Sequence, residues 1–252
     1  MMAIEPLATV ILGGKGKGMT DSPAATVDTP DVSRWNFPDS EVASAALRLV
    51  TDVSPAVLSN HCVRSYLFGR EIAAARGLRS GVDYDDETVY LACLLHDLGL
   101  TDFGAGEQRF EVQGADAAAR FLREHDVADD RVTTVWQSIA LHSSLGLGHA
   151  FGTVQLVAIS GISFDIDGMG MNDFSPDFIG RVIGAWPRHE VGVELGHAIA
   201  RDIKAHPTNP LKAPPFTLPG HLNKVINGAP AIDFTEFIAG APWGDKTPTP
   251  TQ

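Results

Sequence analysis

The sequence predicts an all-α fold, a helical bundle, on three observations. Val132, Val135, Trp136, Ile139, Ala140 and Ser143 fall at the spacing of one helix face. Helix-start chemistry stands ahead of other apolar runs: Ser54-Pro55 offers a cap with a first-turn proline, and Asp85 opens an acidic first turn. The almost wholly apolar stretch from Leu156 to Phe164 could be a strand by periodicity alone, but no other stretch offers it a partner, so it too reads as a buried helix.

Taken in order, residues 1–34 form an expected flexible arm. Residues 19–34 are rich in Ser, Thr, Pro, Asp and Ala without periodicity, and Met19 is a candidate start. Leu7 to Leu12 is too short for a membrane span and has no basic region before it. The glycine-lysine run Gly13 to Gly18 lacks the spacing and the Lys-Ser/Thr of a phosphate loop. The main domain is expected over 35–240, beginning at Trp35-Asn36-Phe37-Pro38. Helices are expected from Asp39-Ser40-Glu41 through Val50, from Ser54-Pro55 to about Ala75, and from about Asp85 to Leu98, closed by Gly99. Thr101 to Gln113 reads as a loop leading into a helix from Gly114 to Glu124. The face at 129–143 follows, then 156–164, then helices near 175–186 and 191–205. Pro207 to Pro219 reads as a connection, and 241–252 as a disordered tail.

At 252 residues and 44% hydrophobic content the chain has ample material for one core. A net charge of −12, with 31 acidic against 19 basic residues and no basic run, argues against a nucleic-acid or membrane surface. Cys62 and Cys93 sit inside apolar helical patterns and read as reduced core residues of a cytoplasmic protein. The expected partner is a small-molecule substrate, with a homo-oligomer left open.

The chemistry concentrates at His96-Asp97, which ends the apolar run from Tyr90 to Leu95. A buried carboxylate is costly unless neutralised or paired, and a divalent cation satisfies both it and the imidazole. The competing reading is ordinary hydrogen bonding near a helix C-terminus. His61 and Asp165 lie in two other mostly apolar stretches, so three helices can deliver two imidazoles and two carboxylates to one centre, a set that suits zinc, iron or manganese.

The ordered set His, His-Asp, Asp resembles the signature of HD-domain metalloproteins. Asn60-His61 with Arg64 and Tyr66, Leu94 to Gly99, Arg109 to Ala118, Leu141 to Ser144 and Asp165 to Gly168 further resemble the cyanamide hydratase family, over roughly residues 38–190. The resemblance implies an HD-domain helical bundle holding one divalent metal through His61, His96, Asp97 and Asp165, with Zn2+ the first expectation and Fe2+ or Mn2+ the alternatives. It prefers Asp165 to Asp167 as the fourth ligand. It also implies a hydratase (lyase) in which a metal-bound hydroxide adds to a nitrile carbon, as in cyanamide to urea.

Such a reaction needs a proton shuttle, and His142 and Glu111 are the candidates. The competing readings are a dipole-favoured terminal histidine and a solvated glutamate. Arg64 is a candidate to orient a carboxylate ligand from behind, with an exposed arginine the equal alternative. A His142/His149 pair could recruit a second metal. The alternative function is an HD phosphohydrolase acting on a nucleotide or other phosphate ester. The central motifs offer that reaction only Arg64 and Arg109 to hold phosphate. A metal-stabilised domain without catalysis is a third reading.

Overall fold

The computed structural model describes residues 32–230 and 232–242, so the expected arm and tail lie almost entirely outside the described residues. The chain divides between Asn36 and Phe37. In the first part the described residues form a 3₁₀ turn at Val32–Trp35. The second is all-α among the described residues, with ten α-helices and no strand. None of these helices is long and apolar enough to cross a membrane.

Helix α1, Glu41–Val53, begins where expected because Ser40 Oγ accepts the Ala43 N–H and Glu41 sits at the positive end of the helix. Helix α2, Ala56–Ala75, follows Pro55. Helix α3, Asp86–Leu95, is capped by Asp85, whose carboxylate accepts from the Thr88 N–H and hydroxyl. Thr88 to Leu95 are all buried. This helix is hydrophobic all round because it lies at the centre, against α1, α2, α5 (Asp129–Leu141) and α6 (Thr153–Asp167).

Helices α2 and α6 pack backbone to backbone, and glycines permit it. A Cβ on Gly161 would lie 2.0 Å from the Ser65 carbonyl oxygen, and one on Gly69 would lie 2.8 Å from that of Val157. His61 stands four residues before Ser65, and Asp165 four after Gly161. One turn from an antiparallel backbone crossing, the two side chains are brought onto facing surfaces.

Helix α4 spans Phe110–Glu124, starting four residues ahead of the expected Gly114. Its extra turn is set by tertiary contacts. Phe110 is buried in a cluster with Ile199, Ile203 and Leu222, and Gly99 packs backbone to backbone on Phe110 and Gly114. Helices α7 (Pro176–Ala185) and α8 (Val191–Ala205) match their expected spans closely. Helices α9 (Leu218–Asn227) and α10 (Phe234–Ala239) lie beyond the proline-rich connection, and α9 packs on α8.

Candidate metal centre

The imidazoles of His61, His96 and His142 share one tautomer. His61 Nδ1 lies 2.7 Å from Asp165 Oδ2, His96 Nδ1 is 2.8 Å from the Cys93 carbonyl and His142 Nδ1 is 2.6 Å from that of Ile139. A carbonyl or an ionised carboxylate can only accept, so each Nδ1 carries the proton and donates it. In the neutral form of each ring Nε2 then keeps its lone pair.

Two of those lone pairs meet. His61 Nε2 and His96 Nε2 are 3.2 Å apart, with Asp97 Oδ2 at 3.3 Å from the second and 4.0 Å from the first. His61, His96 and Asp97 are the one group among the described residues whose ligand atoms converge in this way, all within 4.8 Å of one another. Burial pushes the His96 imidazole down to about 3, against the pull of Asp97, so it is neutral at physiological pH. Asp97 is 1% exposed and neither carboxylate oxygen has a hydrogen-bond partner.

Two facing lone pairs and an orphaned buried carboxylate are an unfavourable arrangement by themselves. A divalent cation accepts electron density from all three, so the donor set fits a metal, and its two nitrogens and one oxygen suit zinc, iron or manganese.

Asp165 stands on the far side of His61. It accepts from His61 Nδ1, from Arg64 Nε (2.8 Å) and Nη2 (2.7 Å), and from Arg188 Nη1 (2.8 Å). Burial works to raise its pKa, but the hydrogen bonds from His61 and Arg64 outweigh this and hold it below the usual carboxylate range. Arg64, fully buried, spends its remaining Nη1 on the Trp186 and Pro187 carbonyls. Of the four residues expected as ligands the structure thus gathers three, with Asp165 reaching them through His61. Asp167 lies elsewhere, accepting the Met169 N–H.

His142 caps the C-terminal end of α5, its ring centroid 5.0 Å from that of His96 and 5.4 Å from that of Phe110. Glu111 is buried in the first turn of α4. Arg109 donates to both its carboxylate oxygens, through Nε at 3.0 Å and Nη2, and Ser143 Oγ donates to Oε1. Burial works to raise the Glu111 carboxyl, yet Arg109, the nearby His142 and Ser143 together hold it below the ordinary value. It is an ionised, fully engaged carboxylate. His149 is exposed and lines a cavity of about 740 Å³ with Leu145, Asp167 and Phe174, outside the converging triad. Cys62 and Cys93 are free and buried, and burial pushes both thiols up, which leaves them protonated.

Arg188 is the contributor that sequence reasoning missed. It lies between α7 and α8, outside every quoted motif, and answers only to the need of a buried carboxylate for counter-charge.

Residues 58–163 match the family model of the HD domain. No curated protein matches the chain. The matched stretch runs from the first turn of α2 into α6, spanning His61, His96, Asp97 and the shuttle candidates and ending two residues before Asp165. This match supports a metal-dependent enzyme of hydrolase type.

Proposed function

We propose that this protein is a metal-dependent hydratase that adds water to a small, uncharged, nitrile-like molecule, with cyanamide as the test substrate. The carrying observation is the state of the cations near the triad. Arg64 and Arg188 are committed to Asp165, and Arg109 to Glu111. A phosphate ester asks for guanidinium or ammonium groups free to match its charge, and these three are already matched. The triad is also no more than 1% exposed, which favours a small substrate that sheds its water readily.

His61, His96 and Asp97 would hold a divalent cation, which would supply Lewis acidity and lower the pKa of a water to about 7. The chain's own groups supply the rest. Asp165 fixes the tautomer and ring direction of His61, while Arg64 and Arg188 keep Asp165 ionised. His142, its Nδ1–H spent on Ile139, retains Nε2 for proton transfer. As the water oxygen bonds to the nitrile carbon, one C–N π bond opens onto nitrogen. The water proton passes through His142 to that nitrogen, and the hydroxy-imine tautomerises to the amide.

A second reading, hydrolysis of a nucleotide or another phosphate ester, is favoured by one observation: the Arg109 and Arg188 side chains are 23% and 35% exposed. Either could exchange its carboxylate for phosphate. The deciding experiment quantifies metal in one purified sample and measures urea formed from cyanamide beside phosphate released from nucleoside monophosphates. Urea formation that tracks metal occupancy supports hydration. Phosphate release without urea replaces it with the second reading.

A further inference from the structure

We propose that Lys212 is a positioning residue for the His96-Asp97 turn, acting through the side-chain amide of Gln113. This inference rests on the metal reading above and concerns what holds the ligands still.

Lys212 is a buried cation far from every motif, 1% exposed, on the proline-rich segment between α8 and α9. Its Nζ donates to Asp202 Oδ1 at 2.8 Å and Oδ2 at 3.1 Å, and to Gln113 Oε1 at 2.8 Å. A counter-ion for Asp202 alone would need no contact with α4. The third bond changes the role. With the Gln113 carbonyl oxygen held by an ammonium, the amide has one orientation, and Nε2 is aimed at the Gly99 carbonyl, 2.5 Å away. An ammonium on Oε1 also draws electron density from the amide and strengthens Nε2–H as a donor.

Gly99 sits two residues after Asp97, in the 3₁₀ turn Leu98–Leu100 that closes the ligand segment through Leu100 N–H to Asp97 O. The same glycine has no room to move. A Cβ there would fall 2.0 Å from the Phe110 carbonyl oxygen and 2.8 Å from Gly114 N. One face of the turn is thus pressed on the α4 backbone, and its carbonyl is tied to the α4 side chain that Lys212 orients. The segment bearing Lys212 is itself anchored, since Asn209 Nδ2 donates to the Glu107 carbonyl and carboxylate. The path runs Asp202, Lys212, Gln113, Gly99, and ends beside the carboxylate ligand.

The test uses the full chain and reads metal rather than turnover. Zinc affinity is measured by chelator competition, the absorption spectrum is recorded for the cobalt-loaded protein, and stability is followed by thermal unfolding. Gln113→Glu keeps an acceptor for Lys212 but loses the donor to Gly99. It should fold, bind zinc about 10-fold or more weakly and shift the cobalt spectrum. Lys212→Met should do the same, whereas Ile72→Ala, a core truncation on α2, should lower stability while leaving affinity and spectrum unchanged. Unaltered zinc affinity and cobalt spectrum in Gln113→Glu overturn the proposal. So does a Lys212→Met loss of affinity no larger than that of Ile72→Ala. If Lys212→Met does not fold, Gln113→Glu decides alone. A wild-type protein that binds neither metal overturns the metal reading, and this inference with it. Wild-type binding that both variants match overturns the positioning role only.

Discussion

Asp165 Oδ2 lies 2.7 Å from His61 Nδ1 and turns the opposite edge of that ring onto His96. The contact joins two helices that cross on glycines, and it sets which nitrogen of His61 is free. Three further hydrogen bonds, two from Arg64 and one from Arg188, saturate the carboxylate that does this. As a proposed ligand, an imidazole so oriented would lose little freedom on coordination, which is how a carboxylate behind a ligand strengthens a metal site.

Asp97→Asn separates the ligand from the fold. The wild-type carboxylate is buried without a partner, so in chelator-treated protein the neutral isostere should be at least as stable as wild type. With zinc added the order reverses, because only wild type gains binding energy on folding. Thermal unfolding with and without metal checks both halves, and stoichiometric metal in the variant would remove Asp97 from the ligand set.

Arg64→Met should cost about 3 kcal/mol or more in urea unfolding, because it leaves a buried carboxylate with one arginine fewer. A loss below about 1 kcal/mol, the range of a surface pair, would show that Arg188 suffices.

His142→Ala should retain metal and lose turnover by roughly 10²- to 10⁴-fold, the usual yield of positioned proton transfer. Steady-state kinetics on metal-quantified protein measures it. An unchanged kcat takes His142 out of the reaction.

Glu111 makes a pH prediction whose sign follows from its lowered pKa. A carboxylate depressed on folding contributes stability that is full above its unfolded value, about 4.3 for glutamate, and drains away as pH falls through the lower native value. The stability gap between wild type and Glu111→Gln should be wide at neutral pH and narrow below about pH 4. Denaturant unfolding across pH 3 to 7 measures the gap, and one that widens on acidification contradicts the assignment.

Caps and apolar spacing made α1, α2, α3 and α5 readable in the sequence, because those signals are local, whereas α6 was ambiguous by periodicity and read as a helix for want of a strand partner. The start of α4 was not readable: its first turn is held by Phe110 packing and the Gly99 contact, both long-range. Helix α9 was hidden by prolines that read as a connection. Yet Thr217 caps it, accepting from the Gly220 N–H, and Pro219 suits its first turn. At the candidate site, the order His, His-Asp, Asp marked the triad. Arg188 and Lys212 carried no mark, since a counter-charge to a buried group obeys no spacing rule. The placement of Asp165 behind His61 depends on rotamers and neighbours that no pattern encodes.

The α2/α6 glycine crossing also bears on biosynthesis. Ser65 and Gly69 leave the ribosome long before Gly161, and Arg188 and Lys212 come later still. During most of translation His61 and His96-Asp97 are present without the groups that aim and brace them. Secure capture of the proposed cation is then expected only after the segments bearing Asp165, Arg188 and Lys212 have been made, and a chain cut before Asp165 should bind zinc more weakly than the full chain.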